Sequence, residues 1–116
     1  GAKILKQPNL KASVTCVRVP VFRSHSVSVT AIFNDKPSVE AAREAVSAAP
    51  GVQLADDPEA SPPLYPTPLD STNQDDCIVG RIREDVVLDN ALTFWVVGDQ
   101  VRKGAALNAV QIAELL

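Results

Sequence analysis

From Ser24 to Phe33 the chain alternates with a period of two. His25, Val27, Val29, Ala31 and Phe33 fall on one side, and Ser24, Ser26, Ser28, Thr30 and Ile32 on the other. Successive side chains of a strand point to opposite faces, so this run predicts a strand with an apolar face that something must cover. His25 stands at its mouth, on the apolar side. Residues 10 to 22 carry a rougher version of the pattern: Val14, Cys16 and Arg18 on one side, Thr15, Val17 and Val19 on the other. This predicts an earlier strand, which Pro20 ends or confines to a sheet edge.

Around these two strands the punctuation sets the remaining elements. Lys3 to Gln7 reads as the last turn of a helix closed by Pro8. Ser38 is a good N-cap, with Glu40 in the first turn and Val39, Ala42 and Val46 at helical spacing, and Pro50-Gly51 stops that helix. Val52-Gln53-Leu54 reads as a short strand. Residues 55 to 76, with Pro58, Pro62, Pro63, Pro66 and Pro68, read as a long loop of the functional or interfacial kind. Cys77 to Ile82 and Ala91 to Val97 are predicted strands joined by a turn at Asp89-Asn90. Lys103 to Leu116 is a predicted helix with Ala106, Val110, Ala113 and Leu116 on one stripe. The predicted order β-β-α-β-loop-β-β-α implies an α+β architecture, a mixed, largely antiparallel sheet with flanking helices. Residues 1–116 are expected to form a single partial domain.

Composition narrows the function classes. A net charge of -3 and no basic block argue against nucleic acid as a partner. No apolar run approaches the ~20 residues of a membrane span. The two cysteines, Cys16 and Cys77, fit free and mostly buried thiols in a reducing compartment, hence a soluble cytosolic domain. The chain begins Gly1-Ala2 and contains no Met, from which we expect a piece of a longer protein.

Few side chains could carry chemistry. His25 is the single histidine, and it follows Arg18 by seven residues. A histidine titrates near neutral pH and serves as a general acid or base, while an arginine offers a planar fork to a carboxylate or phosphate. From spacing alone, the plainer reading of His25 is an ordinary surface or core histidine. Cys16 with His25 as its base would make a thiol nucleophile, but a mid-strand Cys among apolar residues is more often an inert hydrophobe. Cys77 follows Asp75-Asp76, whose charge disfavours a thiolate. One His and two distant Cys give no metal ligand set, so no metal is expected. Arg81 and Arg83 fall on one strand face, read as solvated or interfacial. There is no G-x-G-x-x-G nucleotide turn.

Three motifs, in order, resemble the aspartate-semialdehyde dehydrogenases. Cys16-Val17-Arg18-Val19-Pro20-Val21-x-x-Ser24-His25-Ser26 resembles that family's histidine motif. Val79-Gly80-Arg81-Ile82-Arg83-x-Asp85 resembles the strand after its proline-rich loop, and Gly98-Asp99-Gln100-Val101-Arg102-Lys103-Gly104-Ala105-Ala106-Leu107-Asn108 opens what resembles its closing helix. Tyr65-Pro66-Thr67-Pro68-Leu69-Asp70 is consistent with the bacterial and plant-type branch. The resemblance implies part of the carboxy-terminal catalytic and dimerisation domain, of the glyceraldehyde-3-phosphate-dehydrogenase-like type. It implies His25 as catalytic acid/base, acting on the hemithioacetal or leaving-group oxygens and assisting a cysteine nucleophile. Arg18 would bind the substrate α-carboxylate, and Gln100 would contact the nicotinamide end of NADP. The implied reaction is reduction of L-4-aspartyl phosphate to L-aspartate 4-semialdehyde and phosphate, on the route to lysine, threonine, methionine and diaminopimelate. The implied protein is a homo-oligomer, dimer or tetramer, in the cytoplasm, or the plastid stroma in a plant.

The departures from that family are omissions. The Asn-Cys nucleophile motif, the glycine-rich NADP loop, the phosphate-binding Arg and Lys and the acidic residue near the substrate amino group are not in this sequence. NADP would therefore be held mainly by a missing amino-terminal domain, and these residues alone are expected to be inactive. Three alternatives stand beside this reading. They are a sister N-acetyl-glutamyl-phosphate reductase, a non-catalytic dimerisation or binding module, and a self-contained Cys16/His25 thiol enzyme.

Overall fold

The computed structural model describes residues 3, 4 and 6–115. Four strands form one sheet: β1 (His25–Ile32), β2 (Val52–Leu54), β3 (Cys77–Glu84) and β4 (Ala91–Gly98), in the order β1-β4-β3-β2. β4 runs antiparallel to both β1 and β3, and β2 runs parallel to β3. The sheet is thus mixed and largely antiparallel, with helices beside it, as the patterning requires. The alternation of β1 is realised in its register: His25, Val27, Val29 and Ala31 lie opposite Gly98, Val96, Phe94 and Leu92.

The core sits where β3 and β4 meet. Ile78, Val79, Ile82, Ala91, Leu92 and Val97 are buried, with Ala91 and Val97 fully enclosed. Each of the larger side chains contributes roughly 1.5–3 kcal/mol by leaving water. The helix α1 (Val39–Ala48) packs on β2 and β3. It starts where Ser38 Oγ accepts from Ala41 N at 3.1 Å and ends at Ala48, with Ala49 as C-cap directly before Pro50, as its punctuation predicts.

Between β2 and β3 the chain crosses the sheet surface. Gly80 permits the crossing: a Cβ there would run into Ala55 O and come within 2.5 Å of Pro66 Cδ. This stretch is not wholly loop, because Pro68–Ser71 forms one helical turn, α2. Thr67 and Asp70 close it with a capping box, in which Thr67 N donates to Asp70 Oδ2 at 2.8 Å. That signal was legible as Thr67-Pro68-x-Asp70 but is short enough to be lost among the surrounding prolines.

Beyond Gly80, β3 carries a bulge that shifts its register against β4. Arg81 adopts a left-handed φ of 57°. The carboxylate of Asp56 holds the irregularity, accepting Arg81 N at 2.6 Å and Ile82 N at 3.2 Å, with Arg43 Nε at 2.8 Å behind it. Arg81 and Arg83 are both exposed and line the same depression, on either side of the buried Ile82, as the alternation predicts.

The predicted strand at 10 to 22 is not one. The segment has no assigned secondary structure and pairs with no strand, and Val14 and Val17 are 79% and 74% exposed. A strand is a property of a pair, and both outer edges of the sheet run without this segment. At Pro20 the chain bends instead, with Val21 N bonded to Val19 O at 2.8 Å. Cys16 is correspondingly exposed and not buried as expected, while Cys77 is half-buried.

The closing helix begins as a π-helical turn over Arg102–Ala106 and continues as α3 (Leu107–Ala113). The wider winding lets Ala106 N reach Val101 O at 3.3 Å. Of the two predicted chain ends, Leu5 in the first turn and Leu116 in the last helix lie outside the described residues. No helix among the described residues is long and apolar enough to cross a membrane.

Candidate active site

His25 is the first residue of β1, paired with Gly98, the last residue of β4. The two strand ends and the start of the π-helical turn enclose a shallow depression of about 200 Å³. Val27 and Val96 form an apolar floor, and His25, Cys77, Gln100 and Lys103 line the depression beside them, leaving its surface almost wholly apolar. Gly98 keeps this mouth open, because a Cβ there would stand 3.0 Å from Cys77 Sγ. The Lys103 ammonium is tethered to the closing helix, Nζ donating to Gln111 Oε1 at 2.8 Å. The imidazole of His25 makes no side-chain hydrogen bond among the described residues.

Behind His25 three segments converge, each with two consecutive residues. They are Arg23-Ser24 before β1, Thr72-Asn73 after α2, and Asp99-Gln100 after β4. Asp99 is fully buried; its carboxylate accepts Asn73 N at 2.8 Å and Val101 N at 2.9 Å. Arg23 Nε stands 2.8 Å from Asp99 Oδ2, an ion pair without in-line hydrogen-bond geometry. Desolvation alone would push the Asp99 carboxyl up; the two amides and the Arg23 guanidinium outweigh it and hold the group below its ordinary value. Ser24 N donates to Gln100 Oε1 at 2.7 Å, and Ser24 Oγ lies 3.2 Å from Thr72 Oγ1. Ser24 has a φ of 77°, a left-handed conformation that costs a non-glycine residue about 1–3 kcal/mol and persists only when its surroundings hold it.

Of the residues singled out from sequence, His25 and Gln100 are brought together in one depression. Arg18 is exposed on the unpaired segment before β1 and does not line that depression, and neither does Cys16. Sequence reading missed Cys77 as a neighbour of His25, and it missed Lys103, Arg23 and the buried Asp99. An Asp directly after a strand and three residues before helix-like winding is a known local cap, which was the available signal for Asp99. Two larger depressions, about 410 Å³ each, lie around Tyr65, Arg81 and Arg83. His25 lines neither of them, and the one carboxylate among their lining residues, Asp56, is taken up by Arg43 Nε and by the Arg81 and Ile82 amides.

Comparison with known proteins places this geometry. Residues 1–103 match the family model described as semialdehyde dehydrogenase, dimerisation domain. The chain is 51% identical over 114 residues to an aspartate-semialdehyde dehydrogenase of Synechocystis, covering 98% of this chain and 33% of that one. It is 53% identical over 116 residues to the aspartate-semialdehyde dehydrogenase of Mycolicibacterium smegmatis, covering 98% of this chain and 31% of the relative. The crystal structure of Vibrio cholerae aspartate semialdehyde dehydrogenase II complexed with ASA superimposes with a TM-score of 0.90 at 38% identity. That superposition covers 99% of this chain and 33% of the other. The chain therefore spans about a third of the length of the relatives it matches. With the family model covering most of the chain and relatives at this identity covering nearly all of it, the chain belongs to the semialdehyde dehydrogenase dimerisation-domain family.

Proposed function

We propose that these residues are the carboxy-terminal part of an aspartate-semialdehyde dehydrogenase, in which His25 is the acid/base of the reductive dephosphorylation of L-4-aspartyl phosphate. The observation that supports it best is the shared depression of His25 and Gln100 at the sheet's mouth, in a chain half identical to named aspartate-semialdehyde dehydrogenases. His25 is exposed there, free of protein hydrogen bonds among the described residues, and so available to exchange protons with a bound substrate. Arg18 is the residue that would take the substrate carboxylate through its guanidinium fork.

A nicotinamide cofactor, NADP in this reading, fits the depression in part. Gln100 uses Oε1 on Ser24, which leaves its amide N–H groups to donate, and the floor of Val27 and Val96 suits a flat ring. The cofactor supplies hydride when bound. No glycine-rich turn of this sequence offers a cradle for its phosphates, so the chain contributes only to the nicotinamide end. The attacking thiolate is likewise assigned outside these residues, and the 116 residues alone are inactive in this reading. The whole protein is a homo-oligomer, dimer or tetramer, acting on a small molecule in the cytoplasm, or in the stroma in a plant.

His25→Asn in the full-length enzyme tests the assignment. Loss of a positioned acid/base lowers kcat about 10²–10⁴-fold, while cofactor affinity, read by fluorescence titration, stays near wild type. Turnover within about threefold of wild type would refute the role. The same assay on Cys77→Ser keeps turnover within about threefold, since the nucleophile is a different cysteine.

A further inference from the structure

We propose that Arg23, Asp99 and Gln100 are positioning residues that aim His25 through the backbone of Ser24. The imidazole has no hydrogen bond of its own among the described residues, so its direction is set by the chain that carries it. That chain enters β1 through a left-handed serine, a conformation an L-residue does not hold unaided. What holds it is on both sides. Gln100 Oε1 takes the Ser24 amide at 2.7 Å, Thr72 Oγ1 takes its hydroxyl at 3.2 Å, and Arg23, one residue earlier, is paired to Asp99 at 2.8 Å. Asp99 in turn fixes Asn73 and Val101 by their amides, so the partners of Ser24 are themselves fixed. Ser24 is 6% exposed and Asp99 is fully buried, so water does not compete for these bonds.

An acid/base displaced by about 1 Å loses up to ~10²-fold in rate. This proposal rests on His25 being the acid/base, and the experiment separates the two. In the full-length dehydrogenase, Asp99→Asn keeps the shape and acceptor oxygen of residue 99 but removes the charge that holds Arg23. It should lower kcat about 10–100-fold, with the KM for the nicotinamide cofactor within about threefold. Because Asp99 acts through His25, the same change made in the His25→Asn background should alter the residual rate by less than about threefold. If Asp99→Asn does not fold, Arg23→Gln, which removes the other member of the pair at a partly exposed side chain, carries the same cycle, and Arg23→Lys, which retains a positive charge for Asp99, should recover most of the loss. Wild-type kcat in these variants, or a full loss repeated in the His25→Asn background, would overturn the positioning role. Near-normal turnover of His25→Asn alone would remove the functional reading, and this one with it.

Discussion

The two ends of β4 are each closed by an aspartate with a depressed pKa, and the two are built in opposite ways. At the end where β4 begins, Asp85 closes a local turn. Its carboxylate accepts Val87 N at 2.9 Å, Leu88 N at 3.0 Å and Thr93 Oγ1 at 2.8 Å. The Thr93 hydroxyl is the largest cause of its low pKa, followed by the two amides, which with the Arg83 charge outweigh the opposing effect of desolvation. At the other end, Asp99 reaches across the sequence to Asn73 and Arg23 and is closed off from water. A local carboxylate shapes a tip whose Val86 and Val87 stand 99% and 81% exposed; a long-range one organises the ground under His25. The same chemistry therefore serves a turn in one place and a site in the other, and sequence separation of the partners separates the two uses.

The largest way to break that contrast is at Gly80. Alanine there would collide with Ala55 O and Pro66 Cδ, both on the crossing segment that leads through α2 to Asn73. Backbone cannot yield as a side-chain tip does, so the cost reaches about 3 kcal/mol, the upper part of the range for overpacking. Gly80→Ala should melt well below wild type. In hydrogen exchange, the amides of Asn73 and Val101 at the Asp99 end should lose protection before those of Val87 and Leu88 at the Asp85 turn. Equal loss at both ends would mean that the crossing segment does not anchor Asp99.

A middle-sized effect lies in acid. Both carboxyls sit below their ordinary value of 3.8 in the folded chain. Each is therefore worth its full stabilisation above that value, and the contribution is lost as pH falls through the lower folded one. The melting temperature of the wild type should decline through this window. Asp99→Asn and Asp85→Asn should be less stable at neutral pH, and their deficit should narrow as pH falls below 3.8. Melting curves between pH 7 and pH 3 measure it; a deficit constant over that range would show that ionisation is not what stabilises either end. Turnover should separate the two, with Asp85→Asn within about threefold of wild type because no residue of the His25 depression touches Asp85.

How much of this was legible beforehand follows the same division. Elements with local signals were readable: Ser38 and Pro50 bound α1, and the alternation of 25–32 marked β1 as a strand, while its partner β4 and their register came only with the fold. The alternation of 14–19 misled because pattern states a preference for a half-buried pleat, while pairing depends on an edge brought from elsewhere. The bulge at Arg81 needs Asp56 and Arg43, 25 and 38 residues away, and no spacing rule joins them. His25 and Gln100 were found by resemblance to a family, and the structure places them together. Asp99 and Arg23 escaped because their significance is burial and convergence, which exist only after the chain has folded.

The smallest test isolates the local end. Thr93 is 8% exposed, donates to Asp85 Oδ2 and lies 3.2 Å from Thr30 Oγ1 across the β1–β4 pair. Thr93→Val keeps the branched shape that suits β4 but removes the hydroxyl that does most to lower the Asp85 pKa. The Asp85 carboxyl should then titrate closer to 3.8, still held by the Val87 and Leu88 amides, as read from its carboxyl carbon by NMR. Asp99, which shares no partner with Thr93, should titrate as before. A shift of Asp99 in this variant would show the two ends of β4 coupled through the strand, and the contrast between a local and a site-building carboxylate would fail at its root.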